Sequence, residues 1–208
     1  MRMADVNCII LAGGKSARLG RNKLMETIGG RNLLERVITR LAFFEGEIIV
    51  VTGQGSGLPD LSGHPGLKII NDIIPGKGSL GGLYSGLTVS DRPYNLAVAC
   101  DMPFINLALF KHMISLAEDY DAVVPLVKDF AEPLHAVYSK NCLSAMQYLM
   151  QKNRLSISEL YSMINVYYVK TEDIDKFDPC HLSFFNVNNE ADLKVGREIA
   201  EQEETKGD

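Results

Sequence analysis

Little in this chain of 208 residues suits a disulfide framework, a metal cluster or a membrane. It has four cysteines, Cys8, Cys100, Cys142 and Cys180, and no two of them form a C-x-x-C pair. That excludes the common zinc and dithiol spacings. Cys8 and Cys100 fall inside apolar runs, where cysteine behaves as a small hydrophobe. The four histidines, His64, His112, His135 and His181, are scattered with neither metal-ligand nor nucleophile-base spacing. No serine has the context of a nucleophile elbow. No apolar stretch approaches the roughly 20 residues that a membrane-spanning helix needs. Residues 1–5 lead straight into an apolar run without a secretory pattern, so a cytoplasmic protein is expected. A basic excess is lacking too: 21 Lys and Arg against 26 Asp and Glu give a formal net charge of -5. General affinity for nucleic acid is therefore not expected, and local cations read as a site.

What is present is a chain 46% hydrophobic and 23% charged, enough for one substantial core. A single domain over residues 1–200 is expected, followed by a polar, disordered tail over 201–208. Val6–Leu11, Glu47–Thr52, Leu67–Ile70 and Tyr94–Cys100 read as buried strands. Asn32-Leu33-Leu34-Glu35 opens a helix in a capping pattern. Asn106 is expected to cap a helix running to Glu118, and Asn141–Met150 reads as another. Ser156-Ile157-Ser158-Glu159 reads as a second capping box. Ala122–Val127 is extended, with Pro125 marking an edge or a bulge. Glu132–Tyr138, Val166–Val169 and Phe184–Asn188 complete the predicted strands, and Asn189 caps a last helix. This alternation predicts a three-layer α/β/α domain with a mainly parallel sheet.

The most informative stretch runs from Leu11 to Lys23, Leu-Ala-Gly-Gly-Lys-Ser-Ala-Arg-Leu-Gly-Arg-Asn-Lys. Glycines let backbone N–H groups approach an anion, and Arg18, Lys23 and Lys15 can add full charges. A Walker A loop is excluded because Ile9 stands where its first glycine is required. Gly76-Lys77-Gly78-Ser79-Leu80-Gly81 is a literal G-x-G-x-x-G, but Asn71–Pro75 separate it from the preceding strand, against a dinucleotide turn. A short helix is expected only from Leu83, and Gly53–Gly66 reads as a flexible connection.

The Leu11–Lys23 loop, Thr52, Asp72 and Asp101 all follow strands, so they are expected on one rim, where ligands of such sheets collect. Asp101 opposite a phosphate loop suits Mg²⁺, which is satisfied by one or two carboxylates plus phosphate oxygens. No acid/base pair is evident. An attacking phosphate monoester needs no base, because its second pKa lies near 6. The remaining task is to offset charge between two anions.

Taken with Ile70-Asn71-Asp72, Gly78-Ser79-Leu80-Gly81-Gly82, Cys100-Asp101-Met102-Pro103, Glu132-Pro133-Leu134-His135-Ala136-Val137-Tyr138 and Phe185-Asn186-Val187-Asn188, the loop makes the chain resemble the molybdenum cofactor guanylyltransferases. The resemblance covers nearly the whole chain and implies a Rossmann-like nucleotidyltransferase fold. It implies transfer of GMP from Mg-GTP to the terminal phosphate of molybdenum-bound molybdopterin, with release of diphosphate, alongside other proteins of that biosynthesis. By the same resemblance, Leu11, Ala12, Gly13, Gly14, Thr52, Asp72 and Gly82 border GTP. Lys23 and Arg18 contact phosphates, Asp101 holds Mg²⁺, and Asn186 and Asn188 face the pterin. The two asparagines read equally as a strand-end turn. Ser79 stands where proline is common, and Asn189-Glu190 where threonine and proline are usual. A transferase using CTP or a sugar phosphate, or a nucleotide-binding module without turnover, remains open.

Overall fold

The computed structural model describes residues 6–13, 23–64 and 66–206. Ten strands and seven helices follow in order: β1 (Val6–Leu11), β2 (Thr27–Ile28), β3 (Arg31–Asn32), α1 (Leu33–Leu41), β4 (Ile48–Thr52), β5 (Leu67–Asn71), α2 (Gly78–Val89), β6 (Tyr94–Ala99), α3 (Leu107–Ser115), β7 (Ala122–Val127), β8 (Phe130–Ala131), β9 (His135–Ser139), α4 (Cys142–Gln151), α5 (Ile157–Leu160), β10 (Val166–Val169), α6 (Thr171–Ile174) and α7 (Glu190–Lys206). The main sheet has the order β10-β7-β9-β6-β1-β4-β5, with β8 paired to β7. Pairs β1/β4, β1/β6, β4/β5 and β7/β10 are parallel, whereas β9 runs antiparallel between β6 and β7.

Strand residues alternate between two cores because a strand turns successive side chains to opposite faces. Cys8, Ile10, Val50, Val98 and Val137 pack with α1 and α3 on one face. Ile9, Leu11, Val51, Ala97 and Tyr138 pack with α2, α4 and α5 on the other. A third cluster of Ile28, Leu33, Phe104, Val187, Leu193 and Ala200 docks α7 against the β2/β3 hairpin.

Local sequence chemistry fixes several ends. Asn32 accepts from Glu35 N at 2.8 Å and Glu35 accepts from Asn32 N at 3.2 Å, the reciprocal box that starts α1. Asn189 and Asp192 make the same exchange at α7, at 3.0 and 3.1 Å. Asn106 caps α3 through Leu109 N at 3.0 Å.

Other expectations are corrected. The Asn106 helix ends at Ser115, and Ala117–Asp119 form a separate 3-10 turn. Ser156 makes no capping bond to α5, because its hydroxyl pairs with Ser158 and Glu159 pairs with Arg154 instead. Pro125 lies in an internal strand, opposite Val169 of β10 and between the β7 residues that pair with β9 and those that pair with β8. Phe184–Asn188 is not a strand. Leu182–Phe184 form a 3-10 turn held by the Asp178 carboxylate, and Val187 N bonds the Asp101 carbonyl at 2.9 Å. Residues 201–206, expected in a tail, continue α7, where Glu203 pairs with Arg36 and Arg40.

Helix α2 begins at Gly78, five residues earlier than predicted. Its glycines serve close packing on β1: a Cβ on Gly86 would lie 2.4 Å from Ile9 Cγ2, and one on Gly82 would lie 3.0 Å from Leu11 Cδ2.

Candidate functional site

The C-terminal ends of β1, β4, β5 and β6 surround a cleft of about 790 Å³. Leu11, Gly13, Thr52, Asp72, Gly82, Asp101 and Asn186 all line it, so residues scattered over the sequence share one rim. Gly14 and Arg18 lie outside the described residues.

One half of the cleft is largely backbone. Ala12 N donates to Val51 O at 2.8 Å, which leaves Gly13 as the first residue of the loop not held by the sheet. Thr52 is buried, and its carbonyl takes Asp72 N at 2.8 Å. The Asp72 carboxylate accepts from Ser85 Oγ at 2.7 Å and from Ile74 N at 3.0 Å, which fixes the turn into α2. Gly76 and Gly78, at φ +83° and +60°, adopt the left-handed backbone that glycine tolerates. Lys77 provides no side-chain cap for the first N–H groups of α2, and Gly78 and Ser79 at that end line the cleft. Gly53, Gln54 and Ser56 also line this half. The Gly53–Gly66 stretch, read as a connection only, thus adds a wall; its position directly after the buried β4 strand was the available signal.

The other half is made by side chains. Lys23, in a short 3-10 turn, donates to Asp101 Oδ2 at 2.6 Å and to Asn188 Oδ1 at 2.9 Å. The pair is mostly withdrawn from water, with 13% of the lysine side chain and 22% of the aspartate side chain exposed. Burial at this level strengthens their attraction relative to a surface pair. Asp101 also anchors the Asn186–Asn188 segment through its carbonyl. Asp101 Oδ1 is buried and has no hydrogen-bond partner among the described residues. A lone carboxylate oxygen on a residue that lines a cleft large enough for a nucleotide fits a divalent cation completed by phosphate oxygens and water. No cluster of three or more acidic, histidine or cysteine side chains able to hold a metal occurs among the described residues. Met102, Glu132, Pro133 and Leu134 complete this half, and sequence reasoning placed none of them in the site.

Burial removes the other titratable candidates. Cys8 and Cys100 are pushed up to about 12, so neither supplies a thiolate. His135, fully buried between Phe110 and Phe184, is lowered to about 3 and stays neutral.

Architecture and cleft together define the nucleotidyltransferase class. The structure superposes on molybdopterin-guanine dinucleotide biosynthesis protein A from Archaeoglobus fulgidus with a TM-score of 0.82 and 27% identity, covering 95% of this chain and 100% of that one. A 2-C-methyl-D-erythritol 4-phosphate cytidylyltransferase from Thermus thermophilus shares the fold at TM-score 0.67 and 18% identity, over 93% and 98% of the two chains. The model of the MobA-like NTP transferase domain matches residues 8–165. The probable molybdenum cofactor guanylyltransferase of Pelotomaculum thermopropionicum is 34% identical, over 98% of this chain and 97% of its own. That of Peptoclostridium acidaminophilum is 33% identical, over 97% and 92%. The chain belongs to the MobA-like NTP transferase family, among the molybdenum cofactor guanylyltransferases.

Proposed function

We propose that the cleft joins GMP from GTP to the terminal phosphate of molybdopterin and releases diphosphate. The observation that carries this reading is the Lys23–Asp101–Asn188 cluster standing beside a glycine-lined wall. The backbone half holds the nucleotide: Leu11 to Gly14 and Thr52 hold guanine and ribose, and Asp72 and Gly82 border the nucleotide. Lys23 and Arg18 carry positive charge to the phosphates, and Asn186 and Asn188 face the acceptor. Asp101 would hold Mg²⁺ through its unpartnered oxygen. Bound there, the ion would offset charge on the reacting phosphates.

No residue is required as a general base, since the attacking phosphate monoester is already anionic near neutral pH. The work left to the chain is positioning and charge compensation. Lys23 can supply both because Asn188 and Asp101 orient its ammonium before substrate arrives.

The same reading places the enzyme in the cytoplasm, working with the proteins that deliver molybdopterin. No helix among the described residues is long and apolar enough to cross a membrane, and Cys180 is an exposed free thiol, which suits a reducing compartment. Diphosphate release from each of the four nucleoside triphosphates, with Mg²⁺ and molybdenum-bound molybdopterin present, tests the function. GTP is expected to be the efficient donor; equal turnover of CTP, or GTP binding without release, would contradict it.

A further inference from the structure

Glu132 is the one cleft residue whose backbone is tied down while its carboxylate has no hydrogen-bond or ionic partner among the described residues. Its N–H donates to Pro125 O at 3.0 Å, and its carbonyl accepts from His135 N at 3.3 Å. Next to it, Pro133 O accepts from the Tyr138 hydroxyl at 2.9 Å, and that hydroxyl also pairs with Tyr161 at 2.9 Å. Leu134 O then accepts from Ala99 N at 3.1 Å. The carboxylate is half-buried, and desolvation pushes its pKa up with no neighbouring charge to offset it. An acceptor group partly desolvated and unused at a ligand cleft is costly unless a donor arrives.

Sheet order sets which half of the cleft it belongs to. β9 runs antiparallel to β6 with His135 opposite Val98, and the Ala99–Leu134 bond extends that pairing toward the rim. Glu132 itself stands in the turn between β8 and β9, closed by its carbonyl and His135 N, and in the sheet order β7 and β9 lie beyond β6 as seen from β1. Glu132 thus lies on the side of Asp101 away from β1, β4 and β5, whose ends carry the nucleotide wall. Pro133 and Leu134 also border a second cleft of about 480 Å³. Phe130, Ala131, Leu155, Ile157 and Tyr161 make its walls largely apolar, with Ser79, Ser156 and Ser158 adding hydroxyls. A carboxylate beside an apolar cleft repels phosphate and suits a flat ring bearing N–H groups.

We propose that Glu132 positions the pterin ring of the acceptor, accepting hydrogen bonds from its ring N–H groups while the ring lies against the apolar cleft beside Phe130. This rests on the transfer reaction proposed above. Guanine carries a similar donor edge, so the test must separate the two substrates.

The test compares wild type with Glu132→Gln and Glu132→Asp in Mg²⁺-dependent diphosphate release, varying GTP and molybdenum-bound molybdopterin in turn, with Mg-GTP binding measured by calorimetry. Glu132→Gln should raise KM for molybdopterin at least tenfold, with KM and Kd for GTP within twofold of wild type, and Glu132→Asp should fall between. An unchanged molybdopterin KM, or an equal rise in KM for GTP, overturns the proposal. Phe130 is 75% exposed, so Phe130→Ala keeps the question open to test should the Gln protein fail to fold. It should raise only the molybdopterin KM, and no change there overturns the ring placement. Absence of transfer by wild type would defeat the reaction itself, whereas normal transfer by both variants would defeat only the role of Glu132.

Discussion

The two halves of the cleft are built on different principles. The half over β1, β4 and β5 is a wall of backbone and glycine, shaped by α2 lying unusually close to the sheet. The half beyond β6 is assembled from side chains far apart in sequence, with Lys23 reaching 78 positions to Asp101 and 165 to Asn188. A backbone wall recognises by shape and by N–H and C=O groups that most substitutions leave in place. A side-chain cluster can offset charge on reacting phosphates, and single substitutions dismantle it. Mutations in the first half should therefore act through stability and nucleotide fit, and those in the second through turnover.

The largest effect expected is from Asp101→Asn. Losing the carboxylate that would hold the metal removes about 4 kcal/mol of transition-state stabilisation, on the order of a thousandfold in kcat. The fold should survive, because the Asp101 carbonyl still binds Val187 N. Steady-state transfer and a melting curve check both halves of that statement.

Lys23→Met comes next. It takes the ammonium from Asp101 and Asn188 together, and transfer should fall between about tenfold and a hundredfold, the range of one charge-assisted hydrogen bond. A similar fall in melting temperature and in activity would show the cluster to be structural and would blur the contrast between the halves.

Gly86→Ala tests the backbone half. The added methyl must displace Ile9, at a cost of about 1–3 kcal/mol. Thermal unfolding should drop by several degrees, while kcat at a temperature where the protein remains folded changes little. A thousandfold loss of kcat without destabilisation would break the distinction.

The smallest effect at neutral pH concerns His135. Its folded pKa of about 3 lies below the ordinary 6.5, so the unfolded chain binds the extra proton as pH falls. The folded state keeps its full stability above pH 6.5 and loses about 1.4 kcal/mol per pH unit between 6.5 and 3. His135→Phe, which preserves the stack on Phe110, should leave stability at pH 7.5 nearly unchanged and flatten its acid dependence in denaturant titrations. An unaltered slope would mean that other groups govern acid unfolding.

The same contrast explains what sequence alone could reveal. The β1–loop boundary, the α1 box at Asn32 and Glu35 and the α7 cap at Asn189 are local patterns, and they form as the residues dictate. Asp101 was legible because it ends a buried strand. Phe184–Asn188 misled because its alternation mimics a strand, while Phe184 N and Phe185 N bond back to His181 and Leu182 and Val187 N finds the distant Asp101 carbonyl. Ser156 misled because Arg154 competes for the glutamate that the box requires. Glu132 was hidden inside an apolar stretch that reads as a strand. The turn between β8 and β9, held by Pro125 O and His135 N, carries it to the cleft.

The division of labour is tested most directly by the Asn186→Ala/Asn188→Ala protein, with KM for GTP and for molybdenum-bound molybdopterin determined separately. The account predicts a GTP KM within twofold of wild type and a molybdopterin KM raised at least tenfold. Equal rises in both constants would contradict a cleft divided into a nucleotide wall and an acceptor-facing cluster.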